Sequence, residues 1–212
     1  MNKAEAQLNT RVAFQGSYSE LNQLNTILER YNAQTSGLNV QVKPLHLLTS
    51  VQLGLRYSFE HLRVETMFHL QINNRTGTGI VPGSTTEFKR KLYFRGNSYS
   101  FGLDADIFKH FSVGANAMFN QFKINSYKTG RTDKFTVVNE NYWSSQIFAT
   151  YNVENSDIMS IGIRPYIEIP WKNVQLNDLD LELNPISADA NANISERIVQ
   201  YGIMFIFCNG RQ

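Results

Sequence analysis

Along most of this chain apolar side chains recur at every second position, a period that only extended strands can use by sending alternate residues to opposite faces. From Leu45 to Phe59 the odd positions Leu47, Val51, Leu53, Leu55, Tyr57 and Phe59 are apolar, and Ser50, Gln52, Gly54, Arg56 and Ser58 lie between them. After a turn at Glu60-His61 the pattern resumes, with Leu62, Val64, Phe68, Leu70 and Ile72 on one face. Arg63, Glu65, Met67, His69, Gln71 and Asn73 fall on the other. Residues 97–107 set Tyr99, Phe101, Leu103, Ala105 and Ile107 against Ser98, Ser100, Gly102, Asp104 and Asp106. The same reading holds for Phe111 to Asn120, for 143–153, and for Met159 to Ile169 with Arg164 and Glu168 on the polar side. A weaker first strand spans about Asn9 to Tyr18, with Val12 and Phe14 on one face and Arg11, Ala13 and Gln15 on the other. The last runs from Gln200 to Phe207.

These segments predict eight strands. The turns after the second, fourth and sixth are two to four residues long, whereas the other connections are long: about 19–45, 74–88, 127–141 and 172–195. Short and long connections in turn are the pattern of a membrane barrel, whose strands need roughly 9–11 residues each to cross. No stretch approaches the roughly 18–20 consecutive apolar residues of a spanning helix. Mean hydropathy is −0.32 and 18% of residues are charged, values that a barrel reaches because its lumen-facing residues dilute its lipid-facing ones. A net charge of +2 points to neither nucleic acid nor a strongly anionic partner. The one cysteine, Cys208, cannot form an internal disulfide, and no Cys/His cluster has zinc spacing. Alternation alone does not distinguish inside from outside, so a soluble ligand-binding barrel with inverted faces is the competing architecture. The polar faces, rich in Gly, Ser, Asn and opposed charges, suit a filled lumen better than a watery exterior. Tyr57, Phe59, Phe111, Tyr151 and Phe207 would then mark the inner membrane interface, and Tyr93, Trp143 and Trp171 the outer one.

The terminal segment Gln200-Tyr201-Gly202-Ile203-Met204-Phe205-Ile206-Phe207 resembles the β-signal of bacterial outer-membrane barrels, carried here by Gln200, Gly202, Phe205 and Phe207. With its strand count, the chain resembles the small eight-stranded OmpA-transmembrane-domain and OmpW-like class, in a Bacteroidetes-type form. That resemblance implies an all-β, antiparallel up-and-down barrel in the outer membrane of a Gram-negative bacterium, with both termini periplasmic and long extracellular loops. It also implies contact with outer-membrane lipid and lipopolysaccharide, and with the barrel-assembly machinery during insertion. Such chains usually end on the final aromatic, whereas this one continues from Cys208 to Gln212. Residues 1–212 read as a single barrel domain. Ala4-Glu5-Ala6 before Gln7 matches a signal-peptidase pattern with no basic or apolar region ahead of it, so 1–7 read as a signal remnant, an N-terminal tail or a chance match.

The candidate site residues are those of the polar faces. Arg11, Arg56, Arg63, Glu65, His69, Asp104, Asp106, Arg164 and Glu168 would share a lumen just wide enough to be filled by side chains. They are expected to pair as a structural plug, for example through an Arg164–Glu168 fork, with ion or proton passage as the alternative. In the first long connection, Ser17-x-x-Glu20 has a capping-box pattern and Leu21, Leu24, Leu28 and Tyr31 follow at near-helical spacing. A short helix there would lie on the membrane, cap the barrel mouth or dock a partner. Gly77-Thr78-Gly79-Ile80-Val81-Pro82-Gly83 lacks the Lys-Ser/Thr of a phosphate loop and reads as a flexible loop. Asp178, Asp180 and Glu182 alternate as in an acidic hairpin, with surface calcium as the lesser alternative. His46 and Ser50 near the outer end of the second strand lack a neighbouring carboxylate, and His61 and His110 fall in inner-side turns, so lipid A chemistry has little support. No cofactor, metal or nucleic acid is implied. The expectation is a non-enzymatic barrel serving as a structural or accessory subunit of a larger envelope complex, in secretion, gliding or barrel assembly. The alternatives are a stand-alone narrow channel, a carrier of small hydrophobic molecules, or a lipid A-modifying enzyme.

Overall fold

The computed structural model describes residues 7–59, 61–155, 158–189 and 192–210. In chain order the first elements are β1 (Gln7–Ser19), α1 (Asn22–Gln34), β2 (Leu38–Val40), β3 (Leu47–Ser58) and β4 (Leu62–Ile80). Next come β5 (Glu87–Phe108), β6 (Phe111–Lys128), β7 (Phe135–Asn155) and β8 (Met159–Pro170). The chain finishes with β9 (Val174–Gln175), α2 (Asn177–Leu183), β10 (Ser195–Glu196) and β11 (Gln200–Asn209). Eight of these strands close a barrel: β1 pairs with β3 and β11, and the ring runs on through β8, β7, β6, β5 and β4 back to β3. Closure matters because an open edge would leave a row of backbone groups unpaired in hydrocarbon. At the seam, Phe14 stands opposite Phe205 on one side and Val51 on the other.

The two faces of the wall divide cleanly by polarity. Outward side chains are apolar and bare, with Leu47 at 67% exposed, Phe101 at 59% and Ile147 at 55%. Inward ones are polar and buried, among them Arg11, Arg56, Glu65, Asp104, Gln146 and Arg164. A soluble ligand-binding barrel has these faces reversed, so that architecture is excluded. The bare apolar wall needs hydrocarbon around it. Aromatics border it: Tyr57, Phe59, Tyr151 and Phe207 near one rim, and Tyr18, Tyr99, Trp143, Trp171 and Tyr201 towards the other. Trp143 and Trp171 stack with ring centroids 6.0 Å apart. Tyr93 does not belong to this belt. It lies six residues beyond Tyr99 on β5, gripped by the ammonium groups of Lys134 and Lys91 at 4.1 and 4.6 Å.

The four central strands are much longer than the rest. β4 to β7 have 19, 22, 18 and 21 residues, against 10 to 13 for β1, β3, β8 and β11. Their extra length forms a four-stranded ribbon that rises past the aromatic belt. The long connections expected at 74–88 and 127–141 are therefore mostly strand, with tight turns only at 81–86 and 129–134. Gly77 and Gly79 sit inside β4, paired with Arg90 and Phe88, rather than in a flexible loop. The reason is a phase flip. Below the belt the odd residues of β5 and β6 are apolar and face out. Above it the buried apolar residues are the even ones, Leu92, Phe94, Phe122 and Ile124, while Lys91, Arg95 and Lys123 take the outward positions. The outward face meets lipid below and water above, so its polarity inverts along one continuous strand.

The apolar inner face of the ribbon is covered by a cap. α1 places Leu24, Ile27, Leu28 and Tyr31 in one core with Leu179 and Leu183 of α2, Val42, Leu45 and ribbon residues including Leu92, Phe94, Ile124 and Val138. The helix therefore caps the barrel mouth. Its face Leu21, Leu24, Leu28 and Tyr31 is at most 5% exposed and is spent inside the molecule, so it is not a docking face. The capping box is not formed either. Ser17 lies within β1 and bonds Gln200, and the N-cap residue Leu21 supplies no side-chain bond. The carboxylate of Glu196 does the capping instead, accepting the Leu24 N–H at 2.8 Å from 172 residues away. Burial pushes Glu196 above the ordinary carboxylate range, against the pull of the N–H groups of Leu24, Gln23 and Asn22. The acidic segment expected as a hairpin is the helix α2. Its period of two was a coincidence of Asp178, Asp180 and Glu182 on a helical turn.

Leu28→Ala should cost the cap about 2–5 kcal/mol as a core truncation, and Glu196→Ala about 1 kcal/mol as a lost cap. Hydrogen exchange should report faster amides in α1 and α2 in both variants. Protection in β1, β3, β8 and β11 should be unchanged, because the wall does not depend on the cap.

Candidate functional site

The lower half of the lumen is filled by charge. Cross-strand register brings Arg56 of β3 opposite Glu65 of β4, and Arg63 of β4 opposite Asp104 of β5. Glu65 accepts from three guanidiniums. Arg56 donates from Nε and Nη2 at 2.8 and 2.5 Å, Arg164 from Nη1 and Nη2 at 2.8 and 3.0 Å, and Arg11 reaches its other oxygen. Arg164 also approaches Asp104 at 3.2 Å, donates Nε to Thr150 at 2.7 Å, and lies over the Phe148 ring at 3.6 Å. Arg63 completes the set, with Asp104 at 3.4 Å and Asp106 in contact. Arg11, Arg56, Arg164, Glu65 and Asp104 are each no more than 1% exposed. Beside the hub, Gly102, opposite Glu65, makes room for an amide: a Cβ there would come within 1.6 Å of the Asn116 amide oxygen.

The upper half is polar but nearly uncharged. Glu168 of β8 takes no part in the ion network. Its carboxylate accepts from Ser144 at 2.7 Å and Asn120 at 3.4 Å, so the expected Arg164–Glu168 fork does not form. The two residues share a face but lie four positions apart along β8, about 13 Å. His69 pairs its Nε2 with Ser100 at 2.9 Å. Amides fill the space between, including Gln15 with Gln52 and Asn116 with Gln146.

Other sequence candidates are scattered. His46 stacks on Tyr18 of the outer surface, with ring centroids 5.7 Å apart, whereas Ser50 points into the lumen, so they assemble no hydrolytic pair. Asp180 is bound by Arg30 at 2.8 Å and Glu182 by Arg90 at 2.5 Å, which takes both away from any calcium. Among the described residues no cluster of three or more His, Cys, Asp or Glu is placed to hold a metal. Of the terminal signal, Gln200 is buried against Ser17, Phe205 and Phe207 face outward, and Gly202 leaves space for the Tyr166 ring. The segment 1–7 falls outside the described residues apart from the backbone of Gln7, and so does the tail beyond Gly210.

Two features escaped the sequence reading. The cap of α1 by Glu196 had no local signal, since its partner is far along the chain. The outward cations of the ribbon had one: Lys89, Lys91 and Arg95 continue the outward-facing odd positions of the apolar residues below them and are out of phase with the buried Leu92 and Phe94. Arg95 faces Lys123 directly across the β5–β6 pair, and neither has an ion pair among the described residues.

Breaking the hub should be costly. Glu65→Gln leaves buried guanidiniums uncompensated and should lower stability by about 3–5 kcal/mol. In urea unfolding from detergent, a double-mutant cycle should give a large coupling for Arg164 with Glu65 and one near zero for Arg164 with Glu168.

No family model matches the chain, and no curated protein matches it. Among solved structures, the Ail attachment invasion locus protein of Yersinia pestis matches with a TM-score of 0.51 and 11% identity, covering 99% of both chains. Neisserial surface protein A matches with a TM-score of 0.47 and 10% identity, over 97% of this chain and 99% of that one. The first of these likenesses extends over the whole barrel, and at such identity what is shared is the fold: this chain folds as a small eight-stranded barrel of the outer-membrane type.

Proposed function

We propose that this chain is a non-enzymatic, solute-tight barrel of the bacterial outer membrane that acts as a structural or accessory subunit of a larger envelope complex. The observation that carries this reading is the contrast between its two ends of investment: a lumen closed by charge and capped by apolar packing, beneath a ribbon that presents side chains outward. A passage for solute would have to break the Glu65 hub and then lift the cap. The hydroxyl–imidazole pair in contact, Ser100 with His69, is buried inside the closed lumen, out of reach of a lipid substrate. What the molecule offers its surroundings is the outer face of β4 to β7. There Arg95 and Lys123 stand opposite each other four residues, about 13 Å, above Tyr99 of the belt, and Lys91 and Lys134 hold Tyr93 further up. Cations at that height suit the phosphates of lipopolysaccharide and the acidic surface of a neighbouring subunit. In this orientation the short turns and both termini face the periplasm, and the ribbon and cap face outside.

Affinity purification of the tagged chain from mild detergent should bring down stoichiometric partners. A variant with Arg95, Lys123 and Lys134 changed to Glu should insert normally and lose them. A lone, heat-modifiable band from the native chain would reject the subunit reading. In planar bilayers the purified barrel should give no conductance steps, and regular steps would reject the sealed lumen.

A further inference from the structure

The upper lumen holds a carboxylate with no counter-ion. Glu168 is 3% exposed and forms no ion pair among the described residues, whereas Glu65 and Asp104 below it are each held by more than one guanidinium. Its two hydrogen-bond donors, Ser144 and Asn120, are neutral. The arginine hub lies four positions down β8, and Arg197, which donates to the Pro170 carbonyl two positions up, is exposed to solvent. Coulomb attraction falls as 1/r, so a guanidinium about 13 Å away supplies roughly a quarter of what one in contact would. His69, the imidazole bordering the same space, commits Nε2 to Ser100 and makes no ion pair. Burial of a carboxylate in this state is expensive unless something compensates it.

A small chamber adjoins it. The cavity has a volume of about 20 Å³ and is lined by Glu168, Gln15, Ser50, Asn120, Ser98 and Gln200, among others. That is room for one water-sized occupant. Ser50, 8% exposed, also borders it, and its hydroxyl is an orphan with no hydrogen-bond partner. The surrounding donors are carboxylate, amide and hydroxyl oxygens, the set that hard cations prefer. One carboxylate among neutral oxygens gives a site of charge −1, which a single monovalent ion neutralises and a divalent ion over-fills.

The geometry points to a buried site for one sodium-sized monovalent cation, held by Glu168 with Ser50 and neighbouring amide oxygens. The ion completes the charge balance of the upper lumen as the arginines do for the lower. It is a resident of the upper lumen, in exchange with the bulk, rather than a permeating species.

The test compares the unfolding midpoint of the folded barrel in detergent in sodium chloride and in choline chloride at equal ionic strength. Sodium should raise the midpoint of the native chain in a concentration-dependent way. Glu168→Gln should abolish the difference, and Ser50→Ala should weaken sodium affinity by about tenfold, the loss of one ligand. Equal midpoints in the two salts would overturn the site and leave Glu168 carrying a proton instead. So would a sodium effect that survives in Glu168→Gln. Stabilisation by calcium but not sodium would overturn the monovalent assignment. Should Glu168→Gln fail to fold, sodium-23 relaxation on the native chain decides the matter: one exchangeable bound ion per chain supports the site, and none removes it.

Discussion

The strands of this barrel pass through two solvents, and most of the molecule follows from that. Where the outside is hydrocarbon, the apolar residues must face out, every backbone group must find a strand partner, and the polar residues have only the lumen to go to. Where the outside becomes water, the same strands turn their apolar residues inward, and those then need a cover. The charged plug and the apolar cap are therefore two answers to one constraint, stacked along a single wall.

Within the plug, Glu65 is the point on which the arrangement hangs. Three arginines from three different strands converge on one carboxylate, and a fourth is tied in through Asp104. Each ion would be intolerable alone in that space, and each is made tolerable by the others. Because the donors come from β1, β3 and β8, the hub also fixes the relative register of strands from both ends of the chain. A slip of one residue would send the charges into lipid.

The barrel was legible from the sequence because its signal is local and redundant. Period-two alternation identified every membrane-crossing strand and assigned Arg11, Arg56, Glu65, Asp104 and Arg164 to one interior. What could not be read was pairing across the lumen. Arg164 and Glu168 lie on one strand and look like partners, yet side chains inside a closed ring meet those from the opposite wall, and no spacing rule gives that distance. The ribbon was lost for a different reason. At Asn97 and Gln121 the alternation changes phase, and a reading that tracks one apolar face stops where that face turns polar. The amphipathic helix was visible, but its role was not, because its partners Leu92, Ile124 and Leu179 come from three other parts of the chain.

The bond between Glu196 and the start of α1 ties the first long connection to the last, across 172 residues. Contacts so distant in sequence form late, since the loop they close is nearly the whole chain. The helix emerges early in synthesis, but its cap arrives only with the segment that leads into the final strand. Until the segment leading into β11 is in place, the N-terminus of α1 lacks the carboxylate that caps it. Completion of the cap is thus a report, written into the fold, that the ring has closed.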